Sequence, residues 1–443
     1  MEESLRPLDN ASPPLPDQQG STRQTFLYFA SLTLFIYLAT PAGLLVDIQT
    51  TYLLKNQLHA TPTQISIFRL VTAIPVYFAF VAGLIRDQWS PLGLRDRGYF
   101  LLFAPATAIV FLLVGCTQLS FRGMLIGMFA AMLLSRFFLA AFQGLIALIG
   151  QEKLMSGRLT AVWNIVMAFP AIAGAFGSGY ISDHLNPRAT FFIVAAFAFC
   201  IAAIGLVRPR AVFSHAYDAP QARTTNFVQD IMRLVRHRAI YPAVLINFMW
   251  NFAPGMATPL QFYLSDVLHA SDAIFSYFNG IFTAAFIPTF LLYGFLCKRV
   301  PLRKLLFWGT LVAVPQLVPF AFIHSARLAL VLAAPIGLMG GIAAAAYIDL
   351  AMRSCPPGLQ GTLMMMVDGV LALSSRGGDL LGSAIYNGSP KYGFIYCVIV
   401  TTAVYLLILP LILLVPRKLI DTTDGQPQEE TAEPPGLPVI TSS

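Results

Sequence analysis

The sequence predicts an all-α membrane protein of twelve transmembrane helices arranged as two pseudo-symmetric six-helix bundles. Three observations carry that prediction. Hydrophobic residues make up 57% of the 443 and Asp, Glu, Lys and Arg only 11%, against roughly 45–50% and 25% in soluble domains, which excludes a soluble enzyme. The apolar residues fall into runs of about twenty, the length at which a helix crosses about 30 Å of hydrocarbon. The second half of the chain repeats parts of the first.

Taken in order, residues 1–24 are polar, Pro-rich and acidic at the start, without the basic-then-apolar order of a secretory signal, and are expected to form a disordered tail. Apolar spans follow at 25–46, 65–85, 99–116, 124–150, 159–181 and 190–207, giving a first bundle over 25–207. A long basic stretch at 208–239 links it to spans at 240–264, 274–297, 303–323, 326–350, 362–387 and 393–415, giving a second bundle over 240–416. Residues 417–443 read as a second disordered tail, because their Pro- and acid-rich content cannot bury enough apolar surface to fold alone. Within the linker, Phe227, Ile231 and Leu234 share one helical face while Arg233 and Arg236 lie elsewhere, which suits a helix on a membrane surface or a solvated basic linker.

The repeat is visible residue by residue. YLLKNQLHA at 52–60 matches YLSDVLHA at 263–270, Ile74-Pro75 matches Ile287-Pro288, and GLIRDQWSPLGLRDR from Gly83 matches GFLCKRVPLRK from Gly294, all at offsets of 210 to 213 residues. GRLTAVW from Gly157 aligns with GLQGTLM from Gly358. Orientation follows from Lys and Arg on alternate sides of the spans: 20 fall on the side of the amino terminus and linker, 6 on the other, and Arg136 and Arg376 lie inside spans. Both termini are therefore expected to be cytoplasmic. The net charge of +7 records topology, and no nucleic-acid partner is expected. Cys116, Cys200, Cys297, Cys355 and Cys397 form no CxxC pair and have no His cluster beside them, so they read as structural thiols, with no metal or cofactor.

This arrangement resembles the major facilitator superfamily, whose pattern between the second and third spans is a Gly, an Asp four residues on, and then a Gly followed by basic residues. Gly83, Asp87, Gly93, Arg95 and Arg97 match it with a two-residue insertion. A small residue at 83 permits close helix contact, and the charges can form ion pairs that hold the bundles together in one state and release them in the next. The second copy keeps Gly294, Arg303 and Lys304 but has Lys298 where the Asp would stand. A narrower resemblance, to the folate–biopterin transporter branch, rests on Cys355, Pro356, Gly358 and Thr362, which match that branch's Cys-Pro-x-Gly-x-Glu-Ala-Thr run. Gln360 stands in place of the Glu, and the fourth span lacks acidic residues.

The resemblance implies a secondary transporter that moves a small organic anion, folate- or pterin-like, by alternating access, using proton, sodium or substrate gradients. Multidrug-type export on the same fold is the second reading, and a non-transporting receptor or assembly factor the third. It also implies a multi-pass protein of a plasma or inner membrane, surrounded by the lipid bilayer and monomeric by default.

Charges inside the membrane cost at least about 2.5–3.5 kcal/mol on insertion scales, so they normally face a cavity or a partner. Arg136 is the candidate anion-binding group, with Gln143 two turns away on nearly the same face; a structural ion pair with an acid of another span is the alternative. In the eleventh span Arg376 and Asp379 are spaced to pair along one helix face, while Asp368 has no local partner and can carry a coupling proton. Asp47 and Asp266 are gating contacts or solvated helix ends. Asn164, Asn247, Trp250 and Asn251, with Trp163 and Tyr347, complete a candidate cavity for a planar anion.

Overall fold

A computed structural model of the chain describes residues 16–426, apart from 42, 44–45, 48–49, 51–52, 118–119, 185, 214–226 and 390–391. The described residues are helical with short connections, and nine of their helices are long and apolar enough to cross a bilayer by length and composition alone. They supply the second to sixth, eighth to tenth and twelfth spans. The first span, Pro16–Ala39, carries Arg23 and Gln24. The seventh is broken into Ile240–Asn251 and Thr258–Phe262. The eleventh, Gln360–Gly388, holds Asp368, Arg376 and Asp379 within it. These three are the spans whose polar or broken character removes them from a simple hydropathy test, and all three line the central cavity described below.

The remaining spans are Pro62–Tyr77 continued by Ala79–Gln88, then Asp96–Cys116, Phe121–Glu152, Ser156–His184 and Pro187–Leu206. In the second half they are Asp272–Leu296, Leu302–Ala313 continued by tighter turns at Val314–Phe322, Ala326–Arg353 and Gly393–Ile412. Pro75 sits three residues before the bend at Phe78 in the second span, where its missing amide removes a helical hydrogen bond.

The internal repeat extends to the backbone. Each half enters its second span through a wide helical turn, Leu53–Gln57 in one and Tyr263–Val267 in the other. Leu58 N donates to Leu53 O and Ala60 N to Leu54 O; Leu268 N donates to Tyr263 O and Ala270 N to Leu264 O. His59 and His269 both take a left-handed φ of 48°, a conformation that L residues adopt only when the surrounding turn demands it. Thr61 then caps one helix through a reciprocal box with Gln64, and Ser271 occupies the same position in the other.

Across the bundle interface the second span packs on the eleventh and the fifth on the eighth. In hydrocarbon no hydrophobic force drives helices together, so close approach depends on small residues and polar contacts. A Cβ on Gly83 would come within 2.4 Å of the Gly361 carbonyl oxygen. The eleventh span presents Ser374, Gly378 and Gly382 to the break in the seventh, where a Cβ on Gly382 would meet the Pro254 oxygen at 1.9 Å. Ser374 donates to Phe248 O, and Asp379 accepts from Thr258 N and Oγ1, both at 2.9 Å, capping the helix where it resumes.

The ordered chain extends into both segments expected to be tails. A helix begins at Pro16, and after Pro416 a turn at Arg417–Ile420 leads into residues docked between the bundles. Composition misses this docking because it depends on a few scattered residues, among them Ile420, Thr422 and Asp424, not on an apolar run. In the linker, Phe227–Arg236 is helical, with Val228, Ile231, Met232 and Val235 exposed and Asp230 buried against Gln88 Nε2 at 3.2 Å. Leu234 packs inward, off the expected apolar face.

Gly83→Ala should lower stability by about 1–3 kcal/mol through overpacking, whereas Gly388→Ala, where a Cβ meets nothing within 4 Å, should be neutral. Thermal unfolding of the two variants in detergent gives the comparison, and equal melting temperatures would remove the close approach at Gly83 as a constraint.

Candidate functional site

A cavity of about 520 Å³ lies between the bundles, walled by the first, fifth, seventh, eighth, tenth and eleventh spans. Four of the sequence-predicted residues, Asn164, Asn247, Trp250 and Asn251, line it, with Tyr37 and Phe286. The amides are arranged alike. Asn164 Nδ2 donates to Thr160 O at 2.9 Å, Asn247 Nδ2 to Ala243 O at 2.9 Å and Tyr347 O at 3.2 Å, and Asn251 Nδ2 to Asn247 O at 3.0 Å. Because only an amide NH₂ can donate to a helix carbonyl, these bonds fix which way each side chain points. Their oxygens are left as acceptors. Trp250 is held by stacking on Tyr405, centroids 4.8 Å apart, and by the edge of Tyr347 at 5.4 Å. Tyr347 itself is fully buried and bonded to Thr310, so it supports the cavity without lining it. Trp163 is likewise buried and acts through Tyr37, donating from Nε1 to its hydroxyl at 3.1 Å.

A second chamber of about 570 Å³ is lined by other residues of the first and eleventh spans together with the second and fourth. Arg69, Tyr77, Ser375 and Arg376 line it. Arg376 is exposed to it and does not pair with Asp379, whose carboxylate is taken up by Thr258. Helical spacing of three permits such a pair, but the break in the seventh span offers Asp379 two donors that the sequence spacing could not reveal. Asp47 lies 3.7 Å from Arg69 in the same chamber, an exposed pair. Asp266 is exposed and bonded to its neighbour Ser265.

Arg136 lines neither cavity. It is buried, and its Nη1 lies 3.1 Å from Asp368 Oδ2, joining the fourth span to the eleventh across the interface. Gln143 faces the same carboxylate. The two residues are 232 apart in sequence, which is why Asp368 lacks a partner on local reading. The ion-pair alternative for Arg136 is thus the one realised in this state, and its charge is already neutralised.

On the side bearing the linker, the matched loop performs a different contact from the one its arginines suggest. Asp87 Oδ1 accepts from Gly361 N at 3.1 Å, and its Oδ2 accepts from Thr362 N and Thr362 Oγ1, both at 2.7 Å. It therefore caps the eleventh helix from the opposite bundle, where free amides and the helix dipole favour an anion. Its ionic partner is Arg86, at 2.8 Å, which also grips Asp96 in a two-pronged pair. Arg97 instead donates to Gly205 O and Leu206 O within its own bundle, Arg95 takes a φ of 50° at the helix entrance, and Gly93 supplies a φ of 68° in the turn. The sequence reading passed over Arg86 because it lies between the matched positions. Gln151 Nε2 donates to Met352 O and Cys355 O, and its Oε1 accepts from Gln360 Nε2 at 3.1 Å, so the Gln in place of the branch's Glu finds a neutral partner.

A second carboxylate, missed in the sequence, closes the other half of that side. Asp424 Oδ1 accepts from Gly157 N at 3.1 Å and its Oδ2 pairs with Arg158 Nε at 2.6 Å. Burial pushes the Asp424 carboxyl above its ordinary range, nearby Asp349 adds to the push, and Arg158 opposes it. Asp349 is held by Arg353 at 2.9 Å and by the Tyr293 hydroxyl at 2.7 Å, and Arg353 also reaches Ser156 Oγ at 3.2 Å.

Comparison with known proteins places this geometry. The family model described as "Major Facilitator Superfamily" matches residues 24–376. Among curated relatives, "Folate transporter 2" of Plasmodium falciparum is 21% identical over 303 residues, 68% of this chain and 66% of its own length. The "Folate-biopterin transporter" of a Synechocystis strain is 22% identical over 410 residues, 87% of this chain and 81% of its own length. The matched region thus spans just under two thirds of the first relative. Among solved structures, the major facilitator superfamily transporter FucP in the outward conformation aligns with a TM-score of 0.66 at 17% identity, covering 89% of this chain and 99% of that one. The human organic anion transporter MFSD10 (TETRAN) aligns at 0.60 and 14%, covering 90% and 100%.

Asp368→Asn leaves a buried guanidinium unpaired and should destabilise by about 3–5 kcal/mol. Arg136→Gln should cost less, since Asp368 keeps 29% of its side-chain surface exposed, and the double variant should be milder than Asp368→Asn alone. Additive losses in melting temperature would show that the two charges are not coupled.

Proposed function

The chain belongs to the major facilitator superfamily, whose members move solutes by alternating access, and from that premise we propose that it is a secondary carrier of folate- or pterin-like anions. It is a multi-pass transporter of a membrane, not an enzyme. The linker side is the cytoplasmic side, as the balance of Lys and Arg indicates.

One observation carries the choice of solute: the division of labour between the two chambers. The central cavity offers three amide oxygens and an indole face, which suits a flat heterocycle whose edge carries N–H donors. It offers no charge to an anion. The second chamber supplies Arg376 and Arg69, and a guanidinium binds carboxylate through a matched pair of N–H donors. A pterin ring in the first and a carboxylate-bearing arm toward the second describes a folate. The names of the relatives agree with this choice.

Asp368 is the coupling group in this reading. Its protonation removes the charge that holds Arg136 across the interface, and Arg136, one turn from the chamber-lining Met132, becomes free to face the anion. Binding and coupling are then linked through one guanidinium.

Proteoliposomes loaded with purified protein should accumulate labelled folate and labelled biopterin under an imposed proton gradient. Arg376→Gln should reduce folate uptake by about tenfold, the loss of a charge-assisted hydrogen bond worth about 1.5 kcal/mol, and leave the carboxylate-free biopterin nearly unchanged. Trp250→Ala should reduce both. Uptake of neither compound sinks the assignment of solute, and an equal loss of both on Arg376→Gln sinks the division between chambers.

A further inference from the structure

The two halves of the linker side are closed by the same chemistry from different sources. In the first half, the carboxylate at the end of the second span, Asp87, caps the second residue of the eleventh helix, Gly361. By the repeat, the corresponding segment of the second half should cap the second residue of the fifth helix, Gly157. That segment has Lys298 where the aspartate would stand. The Gly157 amide is nevertheless capped by a carboxylate, that of Asp424 at 3.1 Å.

The replacement is built in, not incidental. The Asp424 side chain is 1% exposed and makes an ion pair with Arg158, the third residue of the same helix, at 2.6 Å. Its own amide donates to Cys297 O at 2.9 Å, which ties it to the loop that lacks the aspartate. Upstream, Thr422 O accepts from Leu302 N at 3.4 Å and from Arg353 Nη1 at 3.1 Å, and Ile420 is 1% exposed in the core of the second bundle. Both capped positions are glycines pressed against the facing segment: a Cβ on Gly361 would meet Asp87 Oδ1 at 2.7 Å, and one on Gly157 would meet Cys297 Cβ at 2.9 Å. Two equivalent helix ends thus hold two equivalent carboxylates, one from the end of the second span and one from the segment after the last span.

We infer that Asp424 is the gate carboxylate of the second half, so that residues 417–426 form a latch that must leave the Gly157–Arg158 helix end whenever the linker side opens. The inference rests on alternating access in this chain, though its test requires no substrate. When the latch leaves, the fifth helix loses a cap and an ion pair at once; the eleventh loses its cap when Asp87 leaves, while the Asp87–Arg86 pair stays within the first bundle. The latch belongs to the second bundle through Ile420 and Thr422, so it travels with that bundle while releasing the first. Its position after the final span makes closure depend on a segment that composition alone assigns to a tail.

Native cysteines report the two gates separately. Cys297 lies under the latch, with Sγ 3.9 Å from Asp424 Oδ2, and Cys355 lies beside the Asp87 contact, both buried. Cys397 is buried between the eleventh and twelfth spans, away from either, bonded to Gly382 O. With exposed Cys116 blocked first, maleimide labelling of full-length protein in proteoliposomes should accelerate about tenfold at Cys297 in Asp424→Asn, the loss of a charge-assisted hydrogen bond worth about 1.5 kcal/mol, with Cys397 unchanged. Asp87→Asn should have the corresponding effect at Cys355. Adding Lys298→Asp to Asp424→Asn, which returns a carboxylate to the loop, should restore protection of Cys297. Unchanged labelling of Cys297 in Asp424→Asn overturns the inference, as does equal acceleration at Cys397, which reports general loosening. Failure of Lys298→Asp to restore protection overturns the equivalence with Asp87. A chain that behaves as expected here but moves neither folate nor biopterin keeps its latch and loses its proposed solute.

Discussion

The free backbone amides at the start of a helix are the constraint around which this molecule closes. An α-helix leaves its first four N–H groups without internal partners and carries partial positive charge there. Within a bilayer such an end must find an acceptor, and here the fifth and eleventh helices find theirs on groups tied to the opposite bundle. The choice has a mechanical consequence. A contact within one bundle would be permanent, whereas a contact between bundles is made and broken as they rock. The same four or five hydrogen bonds therefore serve local helix stability and global closure, and neither can change without the other.

Small residues make that arrangement possible. Gly83, Gly157 and Gly361 let backbone meet backbone or loop at distances a side chain would prevent, so a carboxylate can reach amides instead of lying over them. Charge neutrality follows from the same closeness. Asp87 is balanced by Arg86, Asp424 by Arg158 and Asp368 by Arg136, each pair sparing the buried interface an isolated charge whose burial would cost several kcal/mol. Arg376 departs from this pattern by facing an open chamber, and the proposed function gives that departure its role, as the group that meets the anion.

The fold class was legible because a membrane imposes its pattern on the sequence: spans of fixed length, basic residues on alternate sides, and a duplicated half that survives even in the left-handed His59 and His269. The amides of the cavity were legible too, since Asn164, Asn247 and Asn251 are conspicuous in apolar helices. The pairings were not. Arg136 and Asp368 are far apart in the chain, and Arg376 and Asp379 look matched by spacing while the break in the seventh span draws them apart. Asp424 was least legible of all, because a docked segment that depends on a few scattered contacts leaves no run or period to read.

The asymmetry between the halves bears on how they diverged. A duplicated six-helix unit begins with two equal loops and two equal helix ends, and the geometry of closure continues to demand a carboxylate at each. Lys298 shows that the second loop does not supply one, yet the Gly157 amide is capped and Arg158 is paired. The physical requirement at the helix end is met by a residue that lies elsewhere in the chain. A requirement set by unsatisfied backbone amides is indifferent to the origin of the acceptor. It asks only for a carboxylate that is close, buried and carried by the opposite bundle. The chain beyond the last span is free of the repeat's register, and this freedom lets it meet a need that the repeated loop, with Lys298, does not.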